Sequence, residues 1–174
     1  MTVHDFQASL EQSHERADAP WWRNVYEQAF PTLQTMTCVR DDGWAQRGGI
    51  DRLLVLADGT TLTVDEKVRS TDYNDILLEY WSNYEQRHRG WVAKDLTCDF
   101  IAYAFVPSQR CYLLPFQLLR RAWRDHHREW TDRYERVEAK NRTYTNVSVA
   151  VPIPVVMDAI RDAMVVSWTE GVAA

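Results

Sequence analysis

Gln46-Arg47-Gly48-Gly49-Ile50-Asp51 is followed, fourteen residues after Asp51, by Asp65-Glu66-Lys67 at the end of a β-branched run. Residues 53–56 and 60–64 read as strands, and Ala57-Asp58-Gly59 between them supplies a turn whose glycine is free to take positive φ. The two runs predict a hairpin that gathers two carboxylates and an amine at its open end. Loop length decides whether these groups share a face, because side chains alternate and a one-residue slip reverses all of them. A two-residue Asp58-Gly59 loop places Asp51 opposite Glu66, away from Asp65 and Lys67. A three-residue loop, a type I turn with Gly59 as the left-handed bulge residue, places Asp51 opposite Asp65 with Lys67 one step along the same face. The second register is the expected one, since Ala57 then need not adopt the positive φ that a type I′ turn asks of its central residues.

Val64-Asp65-Glu66-Lys67-Val68 sets three consecutive charges in a β run. In a buried strand they are costly unless paired or bound to an ion. The competing reading is a solvated edge strand whose charges discourage aggregation. Two acids and an amine on adjacent strands make a divalent-metal site, and hard carboxylate oxygens favour Mg²⁺ or Mn²⁺. Zinc fits poorly: Cys38, Cys98 and Cys111 form no C-x-x-C pair, and the adjacent His126 and His127 point to different sides of a helix. The cysteines read as core residues.

On Gly49-Ile50-Asp51 before one strand, Asp65-x-Lys67 on the next, and the order of elements around them, the chain resembles the PD-(D/E)XK nucleases, the restriction-endonuclease-like superfamily. The resemblance implies that Asp51 and Asp65 hold Mg²⁺, that the Glu66 carbonyl completes the shell, and that Lys67 orients or deprotonates the attacking water. It implies hydrolysis of phosphodiester bonds in DNA. A homodimer is implied by resemblance only, because double-strand cutting commonly needs two active sites. A third acid often comes from the first core helix of that superfamily, and Glu27 is the candidate here. It lies roughly 60° outside the apolar arc of its helix, so it can reach a rim but not a core, and its other reading is a solvated charge. Glu79, with Asp75 and Gln86 on the polar side of another helix, is read as solvated by the same rule. The alternative function is a catalytically silent member of the fold, a binding or assembly subunit whose acids are retained as structure. Gly48-Gly49 lacks the G-x-G-x-x-G or G-K-[ST] cradle of a nucleotide-binding protein.

Periodicity predicts helices over residues 3–16 and 21–30, broken at Pro20, and a short first strand over 37–40 before the hairpin. Tyr73, Ile76, Leu77, Tyr80, Trp81 and Tyr84 recur at helical spacing and predict a helix over 73–88, its aromatic stripe core rather than a base-stacking platform. Strands follow over 100–106 and 110–114, then a helix over 116–128, a strand over 143–151 and a helix over 155–164. The order helix, three strands, helix, strand is the αβββαβ core of the restriction-endonuclease-like fold, with a helix, strand and helix appended. It places the chain in the α/β (α+β) class, with a mixed central sheet flanked by helices.

At 174 residues and 45% hydrophobic, the chain suits one domain spanning 1–174. No stretch approaches the ~20 apolar residues of a membrane span, and Met-Thr-Val-His-Asp-Phe-Gln lacks a signal pattern, so a cytoplasmic protein with no membrane partner is expected. The glycosylation patterns at Asn141 and Asn146 are then read as chance. A formal net charge of −5 gives no global attraction to a phosphate backbone, and DNA binding needs a local patch. The basic segment over 120–142 offers one, but Asp125, Glu129, Asp132, Glu135 and Glu138 are interleaved, and an ordinary mixed-charge surface is the expected reading.

Overall fold

The computed structural model describes residues 19–161 and 164–169, and the helix expected over 3–16 lies outside them. In chain order the first elements are α1 (Trp21–Ala29), β1 (Leu33–Cys38), α2 (Gly43–Gly48), β2 (Arg52–Leu56), β3 (Thr61–Arg69), β4 (Asp75–Asn83) and β5 (His88–Arg89). A 3₁₀ turn over Trp91–Ala93 leads to β6 (Phe100–Phe105), β7 (Arg110–Pro115), α3 (Phe116–Arg133), β8 (Arg136–Lys140), β9 (Thr145–Pro152), α4 (Ile153–Ile160) and β10 (Met164–Ser167). The class is mixed α and β, as expected.

The hairpin forms with the three-residue loop. Arg52 pairs with Val64 and Leu54 with Leu62, Leu56 N–H donates to the Thr60 carbonyl at 2.9 Å, and Gly59 sits at φ 84°. The Asp58 carboxylate accepts the Thr60 N–H at 2.9 Å, which closes the turn from inside. β1 pairs along the outer side of β2 and begins earlier than the run 37–40 suggests, because Leu33 and Met36 pack inward while the intervening polar residues mask the pattern. β6 lies parallel to β3 on its other side, with Asp65 beside Ile101 and Lys67 beside Tyr103. The first sheet therefore has the order β1-β2-β3-β6-β7-β10, and β3 is an interior strand. The solvated edge-strand reading of its three charges falls away.

Residues 73–88 are not a helix. Ile76 and Leu78 are fully buried and Tyr80 packs beside the same core, a period of two, and β4 runs in a second sheet of order β5-β4-β9-β8. Ile76 and Tyr80, four apart, satisfy both periods, so the pattern by itself does not choose. The partner decides: β9 supplies a ladder from Asp75 against Pro152 to Trp81 against Val147. The crossover from β3 to its parallel neighbour β6 thus runs through strands, and the helix expected at that step of the αβββαβ order is absent. The aromatic stripe divides as well, since Tyr73 and Tyr84 are each 47% exposed.

α3 continues past residue 128 because Trp130 is buried two helical turns after Trp123. α4 starts directly after Pro152 and stops at Arg161, a left-handed C-cap at φ 65°, short of the expected 164. β5, β8, β10 and α2 are additional. α2 ends at Gly49, φ 66°, a left-handed backbone that favours glycine, and a Cβ there would lie 2.8 Å from the Leu96 side chain, which would have to shift.

The first sheet has a core on each face. On one, Trp22, Val25 and Tyr26 of α1 cover Leu54, Val64, Ala102 and Leu113. On the other, Ile101, Tyr103 and Leu114 meet Ile76, Leu78 and Val149 of the second sheet, with Leu119 and Trp123 of α3. Side-chain alternation along β3 then sends Val64 and Glu66 toward α1, and Asp65 and Lys67 toward the second sheet. No helix of the described residues is long and apolar enough to cross a membrane.

Candidate metal centre

The regular ladder ends at Arg52 and Val64, and Asp51 closes the hairpin in a different way. Its N–H donates to the Val64 carbonyl and its carboxylate accepts the Glu66 N–H, both at 2.8 Å, so a side-chain oxygen replaces the next rung. The chain before it turns aside, with Ile50 N–H bonded to the Ala45 carbonyl at 2.9 Å. In an extended strand the N–H and C=O of one residue leave by the same edge. The Glu66 carbonyl is therefore directed to the edge where Asp51 sits.

Asp65 and Lys67 meet at this end of β3. The Lys67 ammonium contacts the Asp65 carboxylate, whose side chain is only 5% exposed against 31% for Lys67. The negative charge of Asp51 acts on Asp65, and its carboxylate pairs with Arg40 Nε at 3.2 Å. Burial pushes the Asp65 pKa up; Lys67 opposes this and Asp51 adds to it, and the result is a carboxyl raised to about 6. Burial would lower the Lys67 pKa, but Asp65, then Asp51 and Glu79, more than offset it and the net direction is up. The structure thus brings Asp51, Asp65 and Lys67 together, as the hairpin register anticipates.

Glu66 looks the other way. Its carboxylate accepts Arg52 Nε at 2.6 Å and the Tyr26 hydroxyl at 2.8 Å, with Arg40 Nη2 at 3.3 Å. Burial raises its pKa despite Arg52 and Tyr26. Arg40 touches both Asp51 and Glu66, so it ties the two faces of the strand together at the hairpin end. The three consecutive charges are settled by alternation, one pair on each side of the sheet.

Glu27 is not brought to the pair. It belongs to α1, which covers the Glu66 face, and it forms a half-exposed i,i+4 ion pair with Arg23 at 2.9 Å. Glu79 lies on β4 rather than on a helix; its carboxylate accepts Asn146 Nδ2 at 2.7 Å and its charge acts on Lys67. The centroid of the Trp91 ring lies 5.9 Å from Lys67 Nζ. Arg52 was legible in the hairpin register, which puts it diagonal to Glu66, whereas nothing local in the sequence marks Arg40, Tyr26 or Trp91. Cys98 and Cys111 are buried, and burial pushes the Cys98 thiol up to about 12, while Cys38 is exposed on β1 and departs from the core reading.

Among the described residues no three His, Cys, Asp or Glu side chains come together as a metal cluster. What the site offers is two carboxylates and a carbonyl edge. That all-oxygen set suits a hard ion that keeps several waters and takes one or two protein carboxylates. Compared with protein-family models, with curated proteins and with solved structures, the chain matches none of them.

Proposed function

We propose that the protein is a Mg²⁺- or Mn²⁺-dependent deoxyribonuclease with a site of the PD-(D/E)XK kind, in which Asp51, Asp65 and the Glu66 carbonyl hold the ion and Lys67 serves the attacking water. The observation that carries the reading is that Asp51, which accepts the Glu66 N–H, acts by its charge on Asp65 at the end of β3, with the Lys67 ammonium against Asp65. When bound, the ion supplies a polarised phosphoryl oxygen and a more acidic water. Asp65, raised to about 6, is held as a carboxylate by Lys67 at neutral pH and is available to a cation. Lys67, a third exposed beside it, offsets charge developing on the phosphoryl group. The strand-built crossover between β3 and β6 departs from the αβββαβ order, so the reading rests on the hairpin and not on the whole fold. A homodimer, proposed for double-strand cutting, is checked by the mass of the protein in solution.

Mg²⁺-dependent cleavage is tested on supercoiled, linear, single-stranded and branched DNA side by side. Products from wild type and none from Asp65→Ala are expected; no cleavage of any substrate in Mg²⁺ or Mn²⁺ would defeat the proposal. One observation favours a second reading, a silent assembly subunit: Arg40 already pairs with Asp51 and Lys67 with Asp65, so each acid has a protein cation. Calorimetric titration with Mn²⁺ separates the two. Binding by wild type and its loss in Asp51→Ala favours the enzyme, and absence of binding favours the subunit.

A further inference from the structure

Beyond the carboxylates, one surface combines aromatic rings with guanidinium groups. Between β4 and α3 lies a hollow of about 370 Å³. Its floor is Tyr80 stacked on Trp123, ring centroids 5.7 Å apart, and Trp81 stands at its side. Arg89, Arg120 and Arg124 line it, with no acidic residue among its described lining. Arg120 pairs with Asp95, whereas the Arg89 and Arg124 side chains are exposed and have no ion-pair partner among the described residues. A second hollow across Trp81 is mixed in charge: Arg87 and Arg136 line it together with Glu85, and Arg136 lies over the Tyr84 ring at 5.1 Å and pairs with Glu138 at 2.8 Å. Arg87 holds a left-handed backbone at φ 55°, a conformation uncommon for arginine, at the tip between β4 and β5.

We infer that this face binds single-stranded DNA, a base stacking against Trp81 over the Tyr80 and Trp123 floor while Arg89 and Arg124 meet the flanking phosphates. Ring faces with guanidinium groups along one groove suit unpaired bases, whose faces are open, better than duplex DNA, whose bases are already stacked. Local charge complementarity overrides the net −5 of the chain. The hollow also adjoins the carboxylate site: Val92 and Ala93 line it, and their neighbour Trp91 lies beside Lys67. The inference deepens the nuclease proposal by naming the strand state of its substrate, and it rests on that reading.

The test is fluorescence anisotropy of a labelled thymidine oligonucleotide of about twelve residues, within the span such sites cover, in EDTA so that no cleavage occurs. A duplex of the same length and a polyglutamate of similar charge serve as competitors. Single-strand binding with quenching of tryptophan emission is expected. Trp81→Ala should weaken it roughly 5- to 100-fold, and Trp81→Phe should retain most of the affinity. Arg89→Glu with Arg124→Glu should flatten the salt dependence, the slope falling by about 0.7 for each phosphate that is no longer neutralised. Duplex or polyglutamate competing equally well, or binding indifferent to all these variants, would overturn the inference. Cleavage by a protein whose oligonucleotide binding ignores Trp81, Arg89 and Arg124 defeats this inference alone, whereas binding as described with no cleavage defeats the nuclease proposal alone.

Discussion

Asp65→Asn should make the metal-free protein more stable at alkaline pH, although it removes a ligand of the proposed ion. Asp65 is buried at the hairpin end and its carboxyl is raised to about 6 from an ordinary 3.8. A group whose folded pKa is raised in this way binds its proton more tightly in the folded state. Its ionised form therefore costs stability, in full above pH 6, and the cost fades as pH falls from about 6 toward the unfolded value. The shift is about two pH units at about 1.4 kcal/mol each, so the cost approaches ~3 kcal/mol at about pH 8, with Lys67 already counted in it. Asparagine resembles the protonated acid and carries no such term. Calorimetric melting in EDTA should show Asp65→Asn gaining on wild type by roughly 6–12 °C between about pH 4 and about pH 8, at about 2–4 °C per kcal/mol for a chain of this size. The raised Glu66 is common to both proteins and cancels. Saturating Mn²⁺ should then raise the melting temperature of wild type and leave Asp65→Asn unmoved. A stability difference that stays flat with pH, or that grows in favour of wild type at high pH, would refute the argument that Asp65 is held ionised at a cost.

Mn²⁺ affinity of wild type should fall as pH drops below about 6, approaching tenfold per pH unit as Asp65 takes up its proton, and calorimetric titration across that range checks it. Lys67→Ala should keep its metal affinity or gain slightly, while cleavage at saturating Mg²⁺ slows by roughly 100-fold or more; full activity in that variant would remove lysine from the mechanism. Arg52→Ala leaves the Glu66 carboxylate buried without its closest cation and should cost about 3–5 kcal/mol in urea unfolding, against about 1–3 kcal/mol for Tyr26→Phe, which removes one hydrogen bond.

The hairpin and its register were legible in the chain because they are local. Ala57-Asp58-Gly59 sets the loop, the loop sets the register, and the register gathers Asp51, Asp65 and Lys67 across seventeen residues of sequence. The strands over 100–106 and 110–114 and the helix after Pro115 were legible for the same reason, each carrying its own period and its own stop signal. Residues 73–88 were not. Tyr80 and Ile76 fit either period, and only the ladder to β9, some seventy residues away, makes them a strand and builds the second sheet that Asp65 and Lys67 face. Arg40 and Tyr26, the other partners of Asp51 and Glu66, were equally beyond reach, because they arrive from the segment after β1 and from α1 and are chosen by packing rather than by spacing. Even the raised pKa of Asp65 belongs to the tertiary structure. A carboxylate's charge is written in the sequence, but the loss of water that makes the charge costly exists only once both sheets have closed over it.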